Sequence, residues 1–229
     1  MEEVAVLWLK RRSQWSGACA LLVCLVSIAL LSLGGCGGQA TDRYSPSKNI
    51  VGLPNLKPVA IYRFVDRRGK EENLVGERFD SYKFEVISRL EIEPIRAGEA
   101  AAKIVTRAFR DGLRGRGFPV IDMTETPFAP GESWISAKVA VSGEVLEYWE
   151  SSGILKGWLS IRWIYTARSR VLLQTYGVPS GQKFWEKLYS SEVVLQAGNP
   201  RDEVLAKMVE EAMNDPELVR ELARRARAD

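Results

Sequence analysis

The chain has 229 residues, 46% of them hydrophobic and 27% charged, with a formal charge of +3, three cysteines and no histidine. Without imidazole, Ser-His-Asp and Cys-His catalysis and the His-bearing zinc sites are excluded. Lysines and arginines are interspersed with acids rather than gathered in a stripe, which gives no footprint for nucleic acid.

The chain opens with Lys10, Arg11 and Arg12, an apolar run from Gly17 to Leu33, and then Leu33-Gly34-Gly35-Cys36. A basic n-region, an apolar h-region and small residues in that order mark an export signal. The bland alternative is an uncleaved anchor, since the apolar run sits at the lower length limit for a membrane span, but glycines cluster where such a helix would meet the far interface. Leu33-Gly34-Gly35-Cys36 resembles the lipobox of bacterial lipoproteins. That resemblance implies removal of residues 1–35, acylation of Cys36 and a lipid bilayer as partner. Gly37, where an aspartate tends to retain such proteins in the inner membrane, favours the outer membrane, facing the periplasm. Cleavage removes three basic and two acidic residues along with Cys19 and Cys24 and leaves a charge of +2. Once Cys36 carries lipid, the mature chain holds no free thiol, so neither a cysteine nucleophile nor a thiolate metal site is available.

Residues 36–55 are rich in Gly, Ser, Asn and Pro and read as a flexible tether with a typical span of about 20–25 Å. Residues 56–229 are one domain's worth of chain. Val59 to Val65 reads as a strand ended by Asp66-Arg67-Arg68-Gly69, Asn73 to Asp80 as loop, and Tyr82 to Ile92 as a further candidate strand. From Ile95 to Arg116, Ile104, Val105, Ala108, Phe109, Gly112 and Leu113 share one face and predict a helix stopped by Gly117. Phe118 to Ile121 begins another strand. Ser136 to Trp149 and Gly157 to Ala167 read as a hairpin with its turn at Gly153 and Ile154, which sets Trp149 opposite Trp158. Gln182 to Val194 is the next strand. Asn199-Pro200 and Asp215-Pro216 then start two helices, with a Glu221–Arg225 pair on the last.

Two amphipathic helical regions each need an apolar surface to cover. The expected fold class is therefore α+β: a two-layer sandwich, mainly an antiparallel sheet, with the helices packed on one face.

Candidate sites are few. Asp66 with Arg67 and Arg68 reads as a capped turn or as a bidentate anchor for a phosphate or carboxylate. Glu144 and Glu150 would share a strand face about 20 Å apart, with Glu147 on the other, so they form no glycosidase pair and read as solvent-facing acids. Trp163 reads as core, whereas Trp149 and Trp158, beside a turn, are candidate anchors for a partner. The arginines of the last helix, Arg220, Arg224, Arg225 and Arg227, read as a solvated face, with contact to anionic lipid as the alternative.

Asp66-Arg67-Arg68 after a strand and Gly117-Phe118 after a helix, followed by strands and a C-terminal helix pair, resemble the YajG-like family of bacterial lipoproteins. The tryptophan-bearing hairpin departs from that pattern. The resemblance implies no catalytic residue, no cofactor and no metal. The expectation is a non-enzymatic, membrane-anchored envelope lipoprotein that binds an envelope protein partner. The alternative is a ligand- or lipid-binding accessory of an ABC-type transport system, which needs an apolar cavity between sheet and helices.

Overall fold

The structure, a computed structural model, describes residues 56–84, 87–129, 136–156 and 161–227. Cys36, Trp134 and Trp158 lie outside the described residues. The elements run β1 (Val59–Arg63), β2 (Val65–Asp66), β3 (Leu74–Phe84), β4 (Ile87–Arg96), α1 (Ala101–Gly115), β5 (Val120–Pro127), β6 (Val139–Lys156), β7 (Ile161–Gly177), β8 (Lys183–Leu195), α2 (Pro200–Asn214) and α3 (Pro216–Ala226).

The eight strands form one sheet whose spine is the 18-residue β6. Along one edge of β6 lies β7, antiparallel from Val139↔Gly177 to Lys156↔Ile161, and β8 continues the sheet beyond it. Along the other edge, β1, β2 and β3 dock in succession, all parallel to β6, at Val139–Val141, Glu144–Val145 and Glu150–Gly153. Outside them, β5 lies parallel to β1 and β4 antiparallel to β3.

Four of the seven strand pairings are therefore parallel, so the fold is α+β with a mixed, curled sheet rather than a mainly antiparallel two-layer sandwich. Pattern within a strand reports which face is buried but not which distant strand lies beside it. β1 and β6 are too far apart in the chain for a turn signal to join them.

Two further expectations are corrected. Residues 73–80 are not loop, because Leu74–Phe84 and Ile87–Arg96 form a hairpin. Its charged, solvated positions hide the period-2 pattern, with Arg78 and Glu93 facing each other across the strands at 4.0 Å. The same hairpin delays α1, since Ile95 and Arg96 still pair with Gly76 and Leu74. The long hairpin also turns later than expected, between Lys156 and Ile161, so Trp149 stands opposite Arg168 rather than Trp158.

β6 carries a β-bulge between Val145 and Glu147. Val139, Val141, Gly143 and Val145 face the helices before it, and Tyr148, Glu150 and Ser152 face them after it. The extra residue reverses the parity of the strand, so Glu144 and Glu150 stand on opposite faces instead of sharing one.

The helices cover one face of the sheet. α1 buries Ile104, Val105, Ala108, Phe109 and Leu113, and ends where Gly117 takes φ +97° while the Phe118 N–H donates to the Leu113 carbonyl at 3.1 Å. Thr106 ties this helix to the break between β1 and β2: its hydroxyl accepts from the Phe64 N–H (3.0 Å) and donates to the Ala102 carbonyl (2.6 Å). At Gly112 the helices touch backbone to side chain, since a Cβ there would stand 2.5 Å from a methyl of Val209 on α2. α2 starts as its sequence predicts, with the Asn199 side chain accepting from the Arg201 N–H at 3.2 Å and Pro200 at the first position. Between the layers, Phe109, Leu113, Tyr148, Leu173, Leu205 and Met208 are all at 1% exposure or less, so side chains fill this space.

Candidate functional site

The Asp66-Arg67-Arg68 element splits into two roles. Arg68 points inward, its side chain 3% exposed, and grips both carboxylate oxygens of Asp66, with Nε at 2.9 Å from Oδ1 and Nη2 at 2.7 Å from Oδ2. Its Nη1 donates to the Leu74 carbonyl at 2.7 Å and Nη2 to the Glu72 carbonyl at 2.9 Å, with longer bonds to the carbonyls of Glu71 and Tyr148. A guanidinium has five N–H donors, and these acceptors occupy them. Arg68 thus clamps the loop between β2 and β3 onto β6. Arg67 points outward, 60% exposed, with Nε 3.8 Å from Glu144.

On the sheet face away from the helices, the same loop places Lys70 over Trp149, its Nζ 3.4 Å from the ring centroid. Across β7 and β8, Arg168 pairs with Glu192 at 3.1 Å, and Leu188 and Val194 stand 44% and 61% exposed. Trp149 is therefore a half-buried platform on the sheet face that no described helix covers; toward β1 the same face buries Ala60, Tyr62 and Ala140 beneath Phe128 and Tyr176. Trp163 is not core: it is 37% exposed, stacked on Tyr165 at 6.5 Å, on the helix-side face but past the reach of the helices.

Two buried charge clusters escape the sequence. Glu150, turned inward by the bulge, forms an ion pair with Arg201, its Oε2 3.0 Å from Nε, with side-chain exposures of 9% and 7%. Asp215 caps α3, accepting the N–H groups of Glu217 (2.9 Å) and Leu218 (3.4 Å), and also receives the Tyr189 hydroxyl (2.7 Å) and Lys187 (2.8 Å). Burial alone would raise its pKa. The bonds from Lys187, Tyr189 and the two backbone N–H groups outweigh burial and hold it at about 2. The same burial, with the Asp215 carboxylate beside it, drives the Tyr189 hydroxyl upward. Asp215-Pro216 was legible as a helix start, but its tie to β8 was not.

The first described residue lies beside the end of α3. Leu56 bridges Arg227, and the Lys57 N–H donates to the Ala226 carbonyl at 2.6 Å. At the same place α3, with Asn214 of α2, lines an open hollow of about 500 Å³, rimmed by Arg116, Arg220, Arg224 and Arg227, with Val219 and Ala223 in its apolar floor. Among the described residues, no helix is long and apolar enough to cross a membrane.

No family model matches the chain, and no curated protein matches it. Solved structures do resemble it. Protein XCC0632 from Xanthomonas campestris aligns at 8% identity over 74% of this chain and 91% of that one, with a TM-score of 0.45. The PelC dodecamer from Paraburkholderia phytofirmans aligns at 13% identity over 72% and 91%, TM-score 0.39. Lipoprotein GNA1162 from Neisseria meningitidis aligns at 13% identity over 73% and 99%, TM-score 0.32. Bacterial lipoproteins are thus among the similar folds, and the YajG-like family is not singled out. At these scores the likenesses carry no function across to this chain.

Proposed function

We propose that the chain is a membrane-anchored lipoprotein of the bacterial envelope, held by acylated Cys36 in the outer membrane and facing the periplasm. It acts there without catalysis, as an interaction or assembly accessory. One observation carries this reading: Lys10 to Arg12, the apolar run and Leu33-Gly34-Gly35-Cys36 stand ahead of a folded domain whose described residues begin at Leu56. The domain's inward charges are spent on its own fold, Asp66 on Arg68, Glu150 on Arg201 and Asp215 on Lys187, which favours a binding module over an enzyme. The partner-facing surface is the uncovered sheet face with Trp149, Leu188 and Val194. Kinship with the YajG-like lipoproteins rests on Asp66-Arg67-Arg68 and Gly117-Phe118 alone.

Intact mass and membrane fractionation of wild type against Cys36→Ser test the anchor. The expected wild-type species is acylated, lacks residues 1–35 and sediments with outer membranes, and the variant loses the lipid. A chain of unmodified mass, or one that keeps its first residues, overturns the reading. Photocrosslinking from position 149 then tests the face: a discrete adduct with an envelope protein is expected, and its absence beside an adduct from α3 would move the interface elsewhere.

A further inference from the structure

We infer that the arginine-rimmed hollow of α2 and α3 docks onto anionic phospholipid headgroups of the leaflet that holds the anchor. The inference rests on the tether reading above and adds an orientation to it. Three observations meet at this one place. The first is charge. Arg116, Arg220 and Arg227 have no carboxylate partner among the described residues, while Arg224 and Arg225 share Glu221 at 2.5 and 3.0 Å. No acid lines the hollow among the described residues. The second is shape: an apolar floor at Val219 and Ala223 beneath a guanidinium rim matches the junction of glycerol and phosphate in a lipid.

The third is connection. The chain leading back to Cys36 continues from Leu56, the first described residue, which is bridged to Arg227 on the rim itself. A chain of that length and composition spans about 20–25 Å, whereas a domain of this size is about 40 Å across. Tethered there, the rim stays within typical reach of the headgroups, whereas the far face of the sheet lies farther from the point of attachment. Guanidiniums near an anionic surface each gain about a fivefold preference for the membrane, and this attraction fades over about 10 Å at moderate salt. Those distances match an entry point on the rim and would be wasted on the opposite face.

The test uses the lipidated full-length product reconstituted in vesicles. With Cys36 acylated, a single introduced cysteine takes one fluorophore: Asn214→Cys at the hollow, or Ser190→Cys on the uncovered sheet face as control. A headgroup-linked quencher reports contact in phosphatidylcholine vesicles with and without phosphatidylglycerol. The expected result is quenching at position 214 only, dependent on phosphatidylglycerol and lost in high salt. Arg220→Gln and Arg227→Gln each lower the ratio of docked to undocked protein about fivefold. The salt arm needs no change in the rim and so is independent of any effect of those substitutions on folding. Equal quenching at both positions, or none, in protein shown by mass to be lipidated overturns the docking and leaves the anchor intact. Protein without lipid overturns both.

Discussion

Arg68 and Arg201 lie inside the protein, with 3% and 7% of their side chains exposed and each on a carboxylate, whereas Arg220 and Arg227 stand in solvent with no such partner among the described residues. The contrast separates two uses of one side chain. Taking a guanidinium out of water is costly unless acceptors surround it, so the interior arginines are bound to their own fold and hold strands and loops in register. The surface arginines make no comparable demand on stability, and their charge is available to something else. Position in the sequence does not tell the two apart: the doublet Arg67-Arg68 contains one of each kind.

Breaking the interior set should produce the largest effects. Glu150→Ala removes the carboxylate facing Arg201 in the first turn of α2 and is expected to cost about 3–5 kcal/mol, a fall in melting temperature of roughly 6–20 °C. Replacing both partners with apolar residues should recover most of that loss. An additive double variant would show that the two side chains do not act as a pair. Arg68→Met removes the guanidinium bonds to Asp66 and to the carbonyls of Glu72 and Leu74, leaving Asp66 only a backbone N–H and Glu72 only the Ala101 N–H, with an expected cost of about 3–4 kcal/mol in urea unfolding. A loss below about 1 kcal/mol would mean that the clamp is dispensable.

Asp215→Asn is a smaller and more specific test. Because the folded pKa of Asp215 is depressed to about 2, its contribution is complete above the ordinary carboxylate range and disappears as pH falls toward 2. That contribution is about 2 kcal/mol, so wild-type stability should drop between pH 5 and 2 by about that much more than the variant's. Parallel pH profiles would assign the acid sensitivity to other carboxylates. At the bottom of the scale, Arg220→Gln and Arg227→Gln should each change stability by less than about 0.5 kcal/mol. A large loss in either would move that arginine into the interior class and remove the distinction.

The parts of the molecule written in local pattern were legible. Asn199-Pro200 and Asp215-Pro216 start helices where capping chemistry puts them, Glu221 pairs with Arg225, and the apolar stripe of α1 faces the core. What was not legible depends on partners distant in the chain. The parallel docking of β1, β2 and β3 leaves no turn signal, and the charged Leu74–Arg96 hairpin shows no alternation. The most consequential omission is the single extra residue near Val145, because it turned an acid read as solvent-facing into half of a buried pair. The arginine rim was visible only as composition, since Arg116 comes from another helix and Leu56 from the other end of the domain.

The succession of β1, β2 and β3 along β6 also sets an order of events in time. Val59 to Ile61, fully buried in the finished protein, pair with a strand that begins 80 residues later. At synthesis rates of about 5–20 residues per second, β1 waits about 4–16 s for that partner strand to be made. Chain delivered from its N-terminus therefore carries β1 with neither neighbour until β5 is made, and without the central strand until β6 arrives. We expect a chaperone acting on the early chain to raise the yield of folded protein and one acting after β6 has emerged to have little effect, because by then the sheet has the strand on which it assembles.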